Sequence, residues 1–334
     1  MAVIGIEVVD ASVVAVRDGA RLAASPGVAL LAPTGPLIGE AALAAARLQP
    51  VLASDRFWSD LSQEAFAGSA AQPMSHADLA HAHLGALWGS FAKTGDEAAL
   101  AVPGSMRLHQ VGLLLGIARR IGIRVAGVVD AAVAACAGLA ARSVVLHLDV
   151  QLHQAVLTEL GGERILRRRR VEVAPRAGLK SMYGAWAQLV SEAMVRRTRF
   201  DPLHQAASEQ QLYERLPAWL AALESAESVD ASVDAATGSY GATVSREQFT
   251  LVAEAWYAQL EELVGGAHRA DEPTTLALSS RASLLPALGE RLARQSGLEI
   301  ARLADTASAA GAADRAADFG PAEPPSLVTA LPRA

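Results

Sequence analysis

The chain has 334 residues, of which 29 are basic, 35 are acidic and 51% are apolar. This length and apolar content suffice for a large core and favour more than one structural unit. The net charge of -6 excludes a general electrostatic affinity for nucleic acid or anionic membranes. The single cysteine, Cys136, excludes an internal disulfide and fits a reducing compartment.

Two further features predict a cytoplasmic protein with no membrane partner. The N-terminus has no basic lead, and it reaches Glu7 and Asp10 before an apolar segment is long enough for a signal peptide. The longest apolar stretches, near residues 111–141, are interrupted by charged residues, namely Arg119, Arg120, Arg124 and Asp130. Neither region is therefore expected to enter a membrane.

The first part of the chain predicts alternating strands and helices. Residues 3–9 and 12–16 have the pattern of a hairpin, and a turn at Asp18-Gly19 follows. Strands are then predicted at 99–102 and 124–129, with helices at 39–48, 78–93, 106–121 and 131–141. The helix 106–121 should end at Gly122. This alternation is typical of an α/β sheet with parallel pairing.

The second part predicts another pair of strands and then mostly helices. Strands at 144–160 and 163–173 are joined at Gly161-Gly162, a dipeptide suited to a tight turn. Ser245 and Gln248 have the spacing of a capping box, which places a helix at 245–264. Residues 230–241 are predicted to be a loop. The remaining predictions are helices at 180–199, 208–225, 284–296 and 305–317, and strands at 276–278 and 298–303.

Several segments resemble one known family. Ile4-Gly5-Ile6-Glu7 stands where that family has Ile-Gly-Ile-Asp, and Ala101-Val102-Pro103 stands at its Thr-Val-Pro. The segment 130–135, Asp-Ala-Ala-Val-Ala-Ala, stands at Glu-Pro-Thr-Ala-Ala-Ala, and 276–288 with 305–317 resemble the adenosine segment and the closing helix. Over nearly its whole length, the chain is similar to the ATPase domain of DnaK-type heat-shock chaperones, in the actin, hexokinase and heat-shock superfamily.

The resemblance implies an α/β, actin-like ATPase fold in which two lobes, each with a central sheet and flanking helices, surround a cleft. Lobe I would comprise residues 1–141 and the closing helix 305–317. Lobe II would comprise residues 142–304, with a helical insertion at about 200–265. Residues 318–334 would form a flexible tail, and the family's substrate-binding half would be absent.

The nucleotide motifs of the family are altered here. Asp-Leu-Gly-Thr-Thr is replaced by Glu-Val-Val-Asp-Ala at 7–11, and Asp-Leu-Gly-Gly-Gly-Thr-Phe-Asp by His-Leu-Asp-Val-Gln-Leu-His-Gln at 147–154. The adenosine motif Gly-Gly-Ser-Ser-Arg reads Ser-Ser-Arg-Ala-Ser at 279–283. The glycines that let backbone N–H groups approach phosphate are lost. The cleft positions matching these motifs are Asp10, Ser12, His147, Asp149, Gln151, Ser279, Ser280 and Arg281.

Two acids match the catalytic positions of the family. Asp130 stands at the residue that orients the attacking water, and Glu7 stands at the acid that holds the metal through water. Because three motifs of one constellation are damaged, we predict a pseudo-ATPase for which no cofactor is expected. Weak binding of ATP or ADP with Mg²⁺ is the alternative.

Two other groups of residues have competing interpretations. His147, Asp149 and His153 have metal-binding chemistry, but polar filling of an abandoned cleft is favoured, so no metal site is predicted. The histidines at 76, 81 and 83 do not share a helical face and are predicted to lie on the surface. The basic run 167–170 lacks interleaved aromatic residues, which favours a solvated edge strand or a protein contact over nucleic acid.

Three functions follow as hypotheses. The leading one is a non-catalytic, chaperone-like interaction protein whose partner is a DnaK-type relative or a client. The second is a slow ATPase in which Glu7 holds Mg²⁺ through water and Asp130 orients the attacking water. The third is an actin-like assembly factor that binds a short peptide of its partner. Residues 199–204, Arg-Phe-Asp-Pro-Leu-His, also resemble a stretch of compact bacterial relatives of these chaperones.

Overall fold

The computed structural model describes residues 2–32, 35–65, 74–140, 142, 144–236, 238–269, 271–295, 297–320 and 325–333. These residues form a mixed α/β structure, so the predicted fold class is confirmed at this level. The predicted boundary at residue 141, and residues 321–324 and 334 of the predicted tail, lie outside the described residues.

The described residues form both strands and helices. The strands are β1 Val3–Val8, β2 Val13–Arg17, β3 Ala20–Ser25, β4 Ala29–Ala32, β5 Gly35–Ile38, β6 Ala53–Ser54, β7 Glu97–Val102, β8 Arg124–Asp130, β9 Val144–Val150, β10 Ala155–Gly161, β11 Ile165–Ala174, β12 Ser228–Ala235, β13 Gly238–Ser245, β14 Thr274–Leu278, β15 Leu298–Arg302, β16 Leu327–Val328 and β17 Ala330–Pro332. The helices are α1 Glu40–Leu43, α2 His76–Phe91, α3 Leu108–Ile121, α4 Ala131–Cys136, α5 Leu179–Thr198, α6 Ala206–Ala222, α7 Arg246–Val252, α8 Glu254–Ala267, α9 Ser280–Ser283, α10 Leu288–Leu292 and α11 Ala307–Asp314, with a 3₁₀ helix at Ala316–Phe319.

Two six-stranded sheets share the order of five of their strands, and their sixth strands, β16 and β17, lie at opposite edges of that order. The first sheet runs β16-β8-β7-β1-β2-β3 and the second runs β15-β14-β9-β10-β11-β17. β1 pairs antiparallel with β2 and parallel with β7, and β9 likewise pairs antiparallel with β10 and parallel with β14. Every residue of β9 and β14 is buried, as expected for central strands covered on both faces. The chain thus repeats one topology twice without a recognisable sequence repeat.

Small residues let α11 approach the first sheet at backbone distance. A Cβ atom on Gly5 of β1 would lie 1.8 Å from the carbonyl oxygen of Ala309, and one on Gly311 would lie 2.0 Å from that of Ala134. Real Cβ atoms do not come this close to backbone. Glycine at these two positions therefore allows α11 to pack between β1 and α4.

Local signals placed several helix ends correctly. The Ser245 side chain accepts a hydrogen bond from the backbone N–H of Gln248, and the Gln248 side chain accepts one from the backbone N–H of Ser245, so the predicted capping box is confirmed. Gly122 follows α3 with a left-handed φ of 90°, which confirms it as the helix stop. Both features depend on neighbours within a few residues.

Composition misled the prediction at 230–241, where a loop was expected. β12 and β13 form a hairpin there, with Ser228 opposite Ser245. Alternate residues of β12, including Val229, Ala231 and Val233, are buried, and the strand packs against α6. This period of two favours a strand despite the small polar residues between them. The segment predicted to be a helical insertion therefore contains a hairpin.

Residues 325–333 belong to the segment that was predicted to be a flexible tail, but they contain two strands. β16 pairs parallel with β8 in the first sheet, and β17 pairs antiparallel with β11 in the second. The backbone N–H of Arg168 also donates to the carbonyl of Thr329 at 2.9 Å. Unpaired strand edges on the two sheets offer these residues hydrogen-bond partners that composition alone does not reveal.

Residues 199–204 form an ordered connection between α5 and α6. An Asp201 carboxylate oxygen accepts hydrogen bonds from the Ser191 hydroxyl at 2.7 Å and from the Leu203 N–H at 2.9 Å. The Phe200 ring stacks on Tyr240 of β13, with centroids 4.2 Å apart. The segment thus joins the helices to the β12–β13 hairpin. In the described part of the chain, no helix has the length and apolar character needed to cross a membrane.

Candidate functional site

Most of the residues predicted to line the cleft meet between the two sheets. Glu7 lies near the end of β1, while His147 and Asp149 lie on β9. Arg281 belongs to α9, which directly follows β14. The buried members of the predicted set are Glu7, Asp10, Asp130, His147, Asp149, Gln151 and Ser279.

Arg281 joins two carboxylates that come from different sheets. Its Nε and Nη2 atoms lie 3.0 and 2.9 Å from Oδ1 of Asp149. Its Nη1 and Nη2 atoms lie 3.3 and 3.1 Å from the two carboxylate oxygens of Glu7. The guanidinium side chain is 14% exposed, and those of Glu7 and Asp149 are 5% and 7% exposed. We call these three residues the Arg281 cluster.

The charges of the cluster stabilise each other against burial. Burial alone would raise the pKa of Asp149, but the guanidinium of Arg281, together with His147 and hydrogen bonds from Ser279 and Gln151, lowers it below its ordinary value. Burial likewise lowers the pKa of Arg281, yet Asp149 and Glu7 raise it overall. His147 differs because burial lowers its pKa, which keeps the imidazole neutral at pH 7. Arg281 therefore supplies the positive charge of the cluster.

The Asp10 carboxylate accepts hydrogen bonds from two backbone N–H groups of the turn between β9 and β10. Its Oδ1 accepts from the Leu152 N–H at 2.9 Å, and its Oδ2 accepts from the His153 N–H at 3.3 Å. Burial raises the pKa of Asp10, and these two hydrogen bonds oppose that effect. Backbone N–H groups of a turn are the donors that commonly bind phosphate. Here a carboxylate of the same chain uses them.

Asp130 has a complete set of partners. Its Oδ1 caps α4 by accepting from the N–H groups of Ala132 and Val133 at 2.9 and 3.2 Å. Its Oδ2 accepts from Nη1 of Arg168 at 2.8 Å, and the residue is fully buried. A Cβ atom on Gly104 would lie 3.0 Å from the same Oδ2. Both oxygens of this acid thus hold protein groups in place.

The other predicted positions divide into two sets. Gln151 donates from Nε2 to Asp149 at 3.2 Å, and the Ser279 hydroxyl caps α9 by accepting from the Ala282 N–H at 3.2 Å. Ser280 lines a small cavity beside Arg281. Ser12 instead directs its hydroxyl to the carbonyl of Ser25 at 3.4 Å, away from the cluster.

Space remains on one side of the cluster. On the side where the resemblance placed adenosine, a cavity of about 10 Å³ has room for roughly one water molecule. On the other side, beyond Asp10, a cavity of about 510 Å³ lies between residues 8–10, 58–64, 103–110 and 151–154. We call this second space the large cavity. A ligand as large as an adenosine therefore has no room at the adenosine side in this arrangement.

Two further contacts join distant parts of the chain and were not predicted. His153 Nε2 lies 3.1 Å from Oδ1 of Asp55, and Lys180 pairs with the same carboxylate. Burial alone would raise the pKa of Asp55, but hydrogen bonds from His153 and Lys180 lower it to about 2. These residues are separated by 98 and 125 positions, so no local sequence signal links them.

The second contact joins α6 to the segment after α1. The Arg47 N–H donates to Oε1 of Gln210 at 2.9 Å, and Gln210 Nε2 donates to the Leu43 carbonyl at 2.8 Å. The Arg47 guanidinium also lies 3.7 Å from the ring centroid of Tyr213. The Arg47 contacts and the Asp55 contacts thus join the first part of the chain to the second.

Asp149 and His153, two of the residues with metal-binding chemistry, have different partners, and one of the other histidines, His83, is buried. Asp149 pairs with Arg281 and His153 with Asp55, so their partners differ. Among the residues described, no group of three or more His, Cys, Asp or Glu side chains is arranged to hold a metal ion. The prediction of a surface position is wrong for His83, which is 1% exposed, accepts from Trp58 Nε1 at 3.0 Å, and has a pKa that burial lowers to about 4.

The basic run on β11 makes ion pairs within the protein. Arg168 turns inward to Asp130, while Arg170 contacts Glu159 and Glu172 at 3.4 and 2.7 Å. At the start of this strand, β17 covers the edge that was predicted to be solvated.

The sequence matches no protein-family model and no curated protein. Function is therefore inferred from the contacts around Arg281 and Asp10.

Proposed function

We propose that this chain is a non-catalytic relative of the DnaK-type ATPase domain that acts as a protein-interaction module. In this proposal the fold is actin-like, with one lobe around each six-stranded sheet. The repeated strand order supports the assignment, because β8-β7-β1-β2-β3 and β15-β14-β9-β10-β11 have the same sequence of parallel and antiparallel neighbours. The position of α11 between β1 and α4 agrees with a closing helix of lobe I.

The observation that carries the proposal is the double ion pair of Arg281. The Arg281 guanidinium pairs with the carboxylates of Glu7 and Asp149. A metal ion bound to a nucleotide would need free carboxylates at this place. The negatively charged carboxylate of Asp10 accepts hydrogen bonds from the two N–H groups of the β9–β10 turn. A phosphate would need the same N–H groups as donors. Internal side chains thus replace both the cation and the anion of a Mg-nucleotide. Binding would require these buried contacts to break first.

This arrangement has a consequence for the way the protein works. In nucleotide-dependent relatives of such folds, closure of a cleft follows ligand binding. Here the Arg281 cluster and the Asp55 contacts join the same parts of the chain through the protein's own side chains. The protein then presents one constant surface to its partner. The partner class that we propose is a competent DnaK-type relative or one of its clients.

Calorimetric titration with ATP and ADP, with and without Mg²⁺, tests the non-catalytic assignment. We expect no heat of binding and no phosphate release, and a nucleotide-competent DnaK-type chaperone serves as the positive control. Micromolar, Mg-dependent binding would instead favour the slow ATPase. Phosphate release that Glu7→Gln or Asp130→Asn abolishes would overturn the proposal. The interaction role is tested by cross-linking the protein to a DnaK-type relative in solution.

A further inference from the structure

The large cavity has the size of a ligand site and a lining of mixed character. Its volume of about 510 Å³ falls within the range of about 300–1,000 Å³ that is usual for binding sites. Its walls come from five separate parts of the chain, at 8–10, 58–64, 103–110, 151–154 and His76. It is adjacent to Asp10 but does not include Arg281, so a ligand can enter it while the Arg281 cluster stays intact.

The polar lining suits a peptide backbone. Gln154 donates from Nε2 to the Ser105 hydroxyl and to Gln151, each at 3.0 Å. Among the described residues, the carbonyl oxygen of the Gln154 side chain accepts no hydrogen bond and the Ser105 hydroxyl donates none. One acceptor and one donor thus remain for a ligand. A peptide unit offers the complementary N–H and C=O groups.

Apolar side chains line another part of the cavity. Pro103 is partly exposed and Met106 is 9% exposed, whereas Trp58 and Leu61 are only 2% and 1% exposed. Trp58 is held in place because its Nε1 donates to His83 at 3.0 Å. The accessible apolar surface at Pro103 and Met106 suits one apolar anchor side chain of a partner.

Opposite charges lie on two walls. Arg107 and His109 come from the segment that begins α3, while Asp60 and Glu64 come from the neighbouring wall. Arg107 is exposed, and in the described part of the chain it forms no ion pair. Asp60 makes a long contact of 3.8 Å with Arg56, with both side chains more than half exposed. The acids, together with Asp10, disfavour a phosphate ligand, while the two signs suit a ligand that carries both charges.

We propose that the large cavity binds an extended segment of a partner protein, in which an apolar side chain lies between one acidic and one basic residue. The carboxylate pairs with Arg107, the cation pairs with Glu64, and the apolar side chain contacts Pro103 and Met106. This inference rests on the proposed interaction function and names the chemistry of the partner. It places recognition beside the Arg281 cluster.

Fluorescence anisotropy with short labelled peptides tests the proposal on the full chain. The probes are capped Gly-Glu-Leu-Lys-Gly and capped Gly-Lys-Leu-Glu-Gly, because either direction of the segment is allowed. We expect one of them to bind with a Kd below about 1 mM. Replacing its leucine with glycine should weaken binding at least about tenfold, because the apolar anchor is lost.

Reversing the charge of Arg107 tests whether this residue pairs with the acid of the peptide. Arg107→Glu should weaken the preferred peptide about tenfold and favour a variant of it whose acid is replaced by lysine. Arg119→Glu, at the exposed other end of α3, is the matched control and should leave binding unchanged. Circular dichroism verifies that both variants are folded. Failure of both peptides to bind, or equal loss in the two variants, would overturn the inference.

The two proposals fail in different ways. Nucleotide binding together with intact peptide binding would refute the non-catalytic function and leave the peptide site standing. If the protein binds neither peptide nor nucleotide, the peptide site is refuted and the non-catalytic function still stands. Displacement of the bound peptide by ATP would assign the large cavity to nucleotide, and would overturn both.

Discussion

Replacing Arg281 with methionine removes one positive charge from a buried pair of carboxylates. Methionine is unbranched and flexible, so it can fill much of the space of the arginine stem. Glu7 and Asp149, with side chains 5% and 7% exposed, then face each other without their cation. The variant tests whether the Arg281 cluster stabilises the fold in the absence of any nucleotide.

The expected loss can be worked out from these contacts. Removing one partner of a buried ion pair costs about 3–5 kcal/mol, because an uncompensated charge stays buried. A separate count gives a similar value. The guanidinium bonds two carboxylates, and each hydrogen bond to a charged group contributes about 1.5–3 kcal/mol. We therefore expect Arg281→Met to lower the free energy of unfolding by about 3–5 kcal/mol at pH 7.5.

The pH dependence has a definite sign. In the native protein the pKa of Asp149 is lowered, so its stabilising contribution is present above the unfolded pKa of about 3.9 and is lost as the pH falls through the folded pKa. In Arg281→Met the cation is gone and burial raises the pKa of Asp149. The variant then regains stability as this carboxyl takes up a proton. Its deficit should shrink between pH 7.5 and pH 5.

Urea unfolding, followed by tryptophan fluorescence and circular dichroism at both pH values, measures this deficit. Arg302→Met is the matched control, because the Arg302–Glu224 pair is about half exposed and should contribute at most about 1 kcal/mol. The variant with Glu7→Gln, Asp149→Asn and Arg281→Met together should recover most of the loss. A deficit below about 1 kcal/mol, or one independent of pH, would refute the reasoning.

Three more predictions concern single positions. Gly5→Val should lower the free energy of unfolding by about 3 kcal/mol in a urea titration, because its Cβ would lie 1.8 Å from the Ala309 carbonyl. Asp10→Ala should cost about 1–3 kcal/mol in the same assay, because the N–H groups of Leu152 and its neighbour lose their acceptor. Burial raises the pKa of Cys136 to about 12, so its thiol should react with a disulfide reagent at pH 8 only after urea is added.

Each of these three predictions has one outcome that would contradict it. Normal stability of Gly5→Val would mean that α11 does not pack on β1 at backbone distance. Full stability of Asp10→Ala would mean that water satisfies the turn N–H groups as well as the carboxylate does. Rapid labelling of native Cys136 would contradict its buried position next to Asp130.

Patterns within a few residues of each other determined much of the secondary structure. The capping box at Ser245 and the helix stop at Gly122 are local, and both were predicted correctly. These features depend on backbone geometry and on burial of neighbouring side chains, which a sequence carries directly. The strand predicted at 144–160 is instead two strands, β9 and β10, with a turn at 151–154.

The site depended on contacts that only the tertiary structure could decide. Altered motifs indicated which residues should line the cleft, but the partner of Arg281 on β1, Glu7, is 274 positions away. Asp10 reaches the N–H of Leu152 across 142 positions, and the β12–β13 hairpin overrode a loop-like composition. Such pairs form only when two sheets meet. Charge placement between the sheets, rather than any local pattern, therefore determines what the site can bind.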